Sequence, residues 1–222
     1  PNAMGGREVG GLANLISAHR DMSKPEHRAE VAALWGIDDV PSKPGKTAVE
    51  MFEAAADGEI KALWIACTNP AQSMPDQATV RRALERAEFV VVQEAFATTA
   101  TCAYADLLLP ATTWGEKEGT VTNSERRITR VRAAVPPPGM ARHDWQIVVD
   151  LAQRLAQEPD VAAGRQGLNM SYTSPEAIWL EHRESTRGRD LDITGLSYAQ
   201  LEAAPQQWPL PEGASQGQAR LY

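Results

Sequence analysis

The sequence predicts an α/β protein: a doubly wound, mostly parallel sheet flanked by helices, followed by an irregular C-terminal extension. Two observations carry this. Ala62-Leu63-Trp64-Ile65-Ala66-Cys67, Phe89-Val90-Val91-Val92 and Leu107-Leu108-Leu109 are unbroken apolar blocks. Strands buried on both faces read this way, because neither face needs polar residues and the two-residue alternation is lost. The blocks are also separated by helical connectors, which gives β-α-β-α-β, half of a doubly wound sheet with right-handed crossovers.

Taken in order, the chain opens Gly-rich (Gly5, Gly6, Gly10, Gly11) and then reads as a helix over 12–19. A polar stretch with Pro25, Pro41 and Pro44 reads as a loop holding a short helix near 28–34. Thr47 can cap a helix carrying Val49, Met51, Phe52 and Ala55 and stopping at Gly58. Between the first two apolar blocks, Val80, Ala83, Leu84 and Ala87 recur at helical spacing, and the small-residue segment 95–103 reads as partly helical. The third block empties into a polar, Gly-containing loop, Trp114 to Arg127, and 128–135 alternates like a strand. Asp144 stands where a helix N-cap belongs, ahead of Trp145, Ile147, Val148, Leu151 and Leu155. In the extension, helices are expected at 174–182, with Pro175 in the first turn, and at 198–203, with 208–211 extended. The expected division is 1–157 as the α/β domain (1–46 a segment and loop, 47–157 the core) and 158–222 as the extension.

With 222 residues, 43% of them hydrophobic, the chain can bury a sizeable core. A formal charge of -7 argues against a nucleic-acid partner, since phosphate binding needs clustered Lys and Arg. No apolar run has the length to span a bilayer. Cys67 and Cys102 read as small reduced core residues rather than metal ligands. His19, His27, His143 and His182 show no ligand spacing and read as surface or loop residues. Both ends read as those of a piece of a longer protein.

In a parallel sheet the loops leaving the strands' carboxyl ends converge on one crevice. Here they supply Thr68 and Asn69, then Gln93 and Glu94, then Glu116 and Lys117. A carboxylate can accept from the N1 and N2 donors of guanine, and an ammonium can hold pyrophosphate. No Gly-x-Gly-x-x-Gly or Walker loop follows a strand, which argues against dinucleotide coenzymes and ATP in their usual modes. On spacing alone, a nucleotide site and a set of solvated loop charges remain alternatives.

Certain ordered strings resemble the molybdenum oxidoreductases of the dimethyl-sulfoxide reductase family, and their nitrate-reducing branch most. These are Trp64 to Pro70, Gln93-Glu94, Ala105 to Pro110, Trp114 to Gly119, Asn123 to Arg127, Asp144-Trp145 and Gln206 to Pro209. The resemblance implies that Asn69, Gln93, Glu94, Lys117 and Asp144 contact one guanine-dinucleotide half of a bis-molybdopterin guanine dinucleotide cofactor carrying molybdenum. Where periplasmic relatives have Ser-Asp, this chain has Gln93-Glu94. The opening, Pro1 to Glu8, is similar to the family's substrate funnel and places Arg7 facing the metal pocket. A guanidinium fork suits a planar anion such as nitrate; the alternative for Arg7 is a surface pair with Glu8 or another carboxylate.

The resemblance further implies reduction of nitrate to nitrite by the parent, in the cytoplasm. It also implies a [4Fe-4S] cluster and a molybdenum ligand outside this chain, an electron donor protein or domain, and further domains. The chain alone is expected to be inactive. Two rival readings stand beside it: the same domain of a sister enzyme such as a formate dehydrogenase, and a cofactor-less α/β interaction module.

Overall fold

The computed structural model describes residues 2–11, 14–158 and 170–220. The chain divides into two compact units. One comprises Gly45–Glu116 and Val135–Ile147 and holds the parallel sheet; the other comprises Pro1–Pro44, Lys117–Ala134 and Val148–Tyr222.

The chain begins in the second of these units with α1 (Ala3–Glu8), which the sequence did not predict. The helix expected over 12–19 is absent from its described part. Leu15–Ile16 (β1) instead pairs antiparallel with Arg20–Asp21 (β2), across a turn in which Ala18 and His19 both have positive φ. Leu12 and Ala13 lie outside the described residues. Gly10 makes the approach to β1 possible: its φ is 83°, and a Cβ there would meet the Ile16 backbone at 2.7 Å. Helix α2 (Pro25–Trp35) starts earlier than expected because Pro25 occupies its first turn, and it buries Val31 and Ala32 against Ile16 and Val40.

The sheet unit follows the sequence closely. Helix α3 (Ala48–Ala56) opens with a capping box, in which Thr47 N donates to Glu50 Oε2 at 2.7 Å and Glu50 N to Thr47 Oγ1 at 3.4 Å. Strand β3 (Ala62–Ala66), the short α4 (Pro70–Ser73), α5 (Gln77–Arg86) and β4 (Phe89–Glu94) come next. A 3₁₀ turn over Ala100–Tyr104 leads to β5 (Leu107–Pro110). The strands are parallel in the order β3-β4-β5, with Ile65 opposite Val92 and Val92 opposite Leu108. One face packs Ile65, Val90 and Val92 against Phe52, Ala55, Val80 and Leu84 of α3 and α5. Trp64, Phe89 and Leu107 are 41–46% exposed, so these strands are less covered than their apolar composition suggested.

The loop expected over 114–127 is largely structured. Gly119–Thr122 (β6) and Arg127–Val131 (β7) form an antiparallel hairpin. Its turn is closed by Asn123 Oδ1, which accepts from Glu125 N and Arg127 N at 3.0 Å, with Arg126 at φ 65°. Helix α6 spans Asp144–Leu155. Helices α7 (Pro175–Ser185) and α8 (Tyr198–Ala203) are capped by Ser174 and Ser197, and β8 (Gln206–Gln207) joins β7. Trp179, Leu191, Ile193, Leu196, Leu201, Trp208 and Leu210 form a core with Ile128 and Ala18, so the extension builds a hydrophobic centre of its own unit.

Candidate cofactor-binding site

Parallel strands put their carboxyl ends on one edge, where α/β proteins bind ligands. β3 ends at Ala66, and Cys67, at φ 58°, turns the chain into Thr68 and Asn69. β4 ends on Gln93 and Glu94. Beyond β5, Ala111 forms a parallel bridge with Arg142. Arg142 N donates to Pro110 O, and Thr112 N donates to Arg142 O, both at 3.0 Å. This docking carries the start of α6 to the strand ends.

Asp144 is not the N-cap that the sequence predicted. That position belongs to His143, whose N donates to Gln146 Oε1 at 3.3 Å and whose carbonyl accepts from Ile147 N at 3.2 Å. The Asp144 carboxylate reaches the sheet: its Oδ1 accepts from Gln93 Nε2 at 2.8 Å and from Cys67 Sγ at 3.7 Å. Cys67 is therefore an exposed residue at the strand ends, not a core one, while Cys102 is buried as expected.

Gln93 is 2% exposed, and its Oε1 has no hydrogen-bond partner. Trp145, next to Asp144, likewise has a buried Nε1 without a partner. Leaving a buried polar atom unmatched costs about 1–3 kcal/mol. The unmatched Gln93 acceptor beside Asp144 suits a ligand that donates a hydrogen bond.

The other expected residues are placed differently. Asn69 Oδ1 accepts from Thr101 N at 3.1 Å and Thr101 Oγ1 at 2.7 Å, and its Nδ2 donates to Gln72 Oε1 at 2.9 Å, so much of its amide bridges loops. Glu94 Oε1 accepts from Ala95 N at 2.7 Å and Phe96 N at 3.3 Å, which fixes the turn after β4. Lys117 and Arg7 belong to the other unit, Lys117 just ahead of β6 and Arg7 exposed on α1.

That unit also holds two groups the sequence did not single out. Glu8 does not pair with Arg7. It is 4% exposed, and it accepts from Thr122 Oγ1 at 2.9 Å and Trp208 Nε1 at 2.5 Å. Burial pushes its carboxyl up to about 7, against the opposing pull of those bonds. His182, read as a surface residue, has its Nε2 shut off from solvent, and burial together with nearby His19 pulls it down to about 4. Nothing in their local sequence marks either as buried; the core around Trp208 and Trp179 creates the burial. Among the described residues, no group of three or more His, Cys, Asp or Glu could hold a metal ion, and no helix is long and apolar enough to cross a membrane.

Residues 3–154 match the molybdopterin oxidoreductase family. The chain belongs to that family. All of it aligns with the nitrate reductase of Synechocystis sp. at 41% identity, covering 31% of that protein. It aligns as fully with the assimilatory nitrate reductase catalytic subunit of Bacillus subtilis, at 42% identity over 30% of that protein. Formate dehydrogenase H of Escherichia coli is 31% identical, again along the whole chain and 29% of the relative. The chain thus spans less than a third of the length of these relatives. Acetylene hydratase from Pelobacter acetylenicus shares the fold, with a TM-score of 0.56 at 21% identity over 73% of this chain and 21% of its own. Membership of the family implies a molybdenum–pterin cofactor. The unmatched Gln93 Oε1 at the strand ends fits a group that carries ring N–H donors.

Proposed function

We propose that this chain is the pterin-dinucleotide-binding part of an enzyme that reduces nitrate to nitrite. The observation that carries the reading is the Gln93–Asp144 contact at the strand ends, where the buried Gln93 carbonyl has no hydrogen-bond partner. In this reading the cofactor is in its bis-guanine-dinucleotide form. Asp144 and Glu94 accept from the guanine edge, Gln93 and Asn69 supply amide functions beside it, and Lys117 balances pyrophosphate charge. Arg7 offers a planar fork to nitrate. The bound molybdenum supplies two-electron oxygen-atom chemistry, fed through a [4Fe-4S] cluster and an electron donor, while the protein positions and tunes it.

Identity of 41–42% to nitrate reductases, against 31% to formate dehydrogenase H, favours nitrate over the sister substrate. The assimilatory relative supports a cytoplasmic setting. Purified full-length enzyme with a chemically reduced dye is expected to form nitrite from nitrate and not to oxidise formate. Formate oxidation without nitrite formation would transfer the assignment to the sister enzymes.

A further inference from the structure

The two faces of the parallel sheet are treated differently. Ile65, Val90 and Val92 lie on one face, packed with residues of α3 and α5. Side chains alternate along a strand, so Ala62, Trp64 and Ala66, then Phe89, Val91 and Gln93, then Leu107 and Leu109 share the other. The register sets them in rows: Ala62 stands opposite Phe89, and Trp64 opposite Val91, which stands opposite Leu107. Gln93 is covered at the carboxyl end, where it meets Asp144 at the start of α6. Ala62, Trp64, Ala66, Phe89 and Leu107 are exposed, and none of the side chains on this face carries a charge.

All-parallel sheets occur with helices on both faces. Here every crossover lies on one side. The β3-to-β4 crossover is α5, whose Val80, Ala83 and Leu84 pack with Val90 and Val92. The β4-to-β5 crossover, the 3₁₀ turn over Ala100–Tyr104, sends Cys102 and Tyr104 into that same core. Two right-handed crossovers stepping in one direction across a sheet must share a face. The sheet's own connections therefore supply no helix to the other face. Within the sheet, β3 and β5 each pair with β4 alone.

We propose that this bare face is an internal docking surface, covered in the parent enzyme by the apolar stripe of a helix from the same polypeptide, outside these 222 residues. The chain spans less than a third of the relatives that match it along its whole length, so each of them carries more than twice as much further chain. The face fits such an occupant in chemistry and in size. Being uncharged, it suits a permanent contact that resembles a domain core rather than a transient, polar one. Three strands at about 4.8 Å spacing span roughly 10 Å, the width of one helix. A second copy of this chain would instead stack sheet on sheet, the packing of antiparallel sandwiches. The proposal is independent of the substrate that the parent reduces.

The test uses the full-length enzyme with the photoreactive residue p-benzoylphenylalanine in place of Trp64 in one variant and of Phe89 in another, both exposed aromatic positions on the face. After irradiation at several enzyme concentrations, mass spectrometry of the digest locates the linked peptides. Both positions should link to peptides of the same polypeptide outside the 222 residues. The product should run as one chain on a denaturing gel, in a yield independent of concentration. Links confined to the 222 residues, a product of twice the chain mass, or no link from either position would each overturn the proposal. A second measurement does not depend on the photoreaction. Leu107→Glu would place an unpaired charge beneath the helix and should lose most of the soluble, folded enzyme. Wild-type yield and unfolding temperature for Leu107→Glu would mean that the face is open to water, and would overturn the proposal as well.

Discussion

Glu8 and His182 make opposite demands on stability, and removing Glu8 should expose the other. Glu8 is raised from 4.5 to about 7, so the folded chain keeps a proton that the unfolded chain loses; this contribution fades as pH rises from 4.5 to 7. His182 is lowered from 6.5 to about 4, so the unfolded chain takes up a proton that the folded chain refuses; this contribution fades as pH falls from 6.5 to 4. Between pH 4.5 and 6.5 the folded state carries its proton on Glu8 and the unfolded state on His182, and the two effects cancel. Glu8→Gln removes one side of that balance. At about 1.4 kcal/mol per pH unit, stability of the variant should rise relative to wild type by roughly 2–3 kcal/mol across the window. Urea unfolding at a series of pH values measures this. Fluorinated Trp179 and Trp208, both in the unit that holds Glu8 and His182, can be followed by ¹⁹F NMR. Parallel pH dependences for the two proteins would refute the buried, protonated carboxyl.

Other outcomes follow from single contacts. In the full-length enzyme, Arg7→Ala should raise the nitrate KM and lower kcat/KM by about tenfold or more, consistent with one charge-assisted contact. Arg7→Lys should recover only part, with molybdenum content normal throughout; intact kinetics would make Arg7 structural. Thr47→Ala should remove the capping box of α3 and cost about 1 kcal/mol in urea unfolding. Val90→Ala, in the centre of the sheet core, should cost more than the cap, roughly 2 kcal/mol or above. Equal losses for the two would contradict the packing of α3 and α5 on the sheet.

The sheet was legible because its three strands are contiguous apolar runs, although Trp64, Phe89 and Leu107 stay more exposed than that composition suggests, and because the caps at Thr47, Ser174 and Ser197 are local. The first helix was misplaced because Gly10 and the positive-φ pair Ala18 and His19 make a tight β turn that apolar spacing does not encode. The β6 half of the hairpin hid behind polar residues, whereas the strand read over 128–135 is β7, ending earlier at Val131; the Asn123 side chain closes the turn between them. Asp144 does not cap α6 as its place in the sequence suggested. Its partner Gln93 lies 51 residues away, and only the docking of Arg142 on β5 brings them together. Glu8 and His182 could not be read at all, since the shifts in their protonation arise from cavity and core packing that forms only in the folded unit.

The account rests most heavily on the strand-end crevice as the cofactor's anchor. The direct measurement is the molybdenum and guanine nucleotide recovered per mole of purified full-length enzyme, in wild type and in Gln93→Ala and Asp144→Ala variants. Each variant removes a hydrogen bond to a charged or buried group, worth about 1.5–3 kcal/mol, and should lose most of both components under dilution. Wild-type amounts of molybdenum and nucleotide in both variants would contradict it.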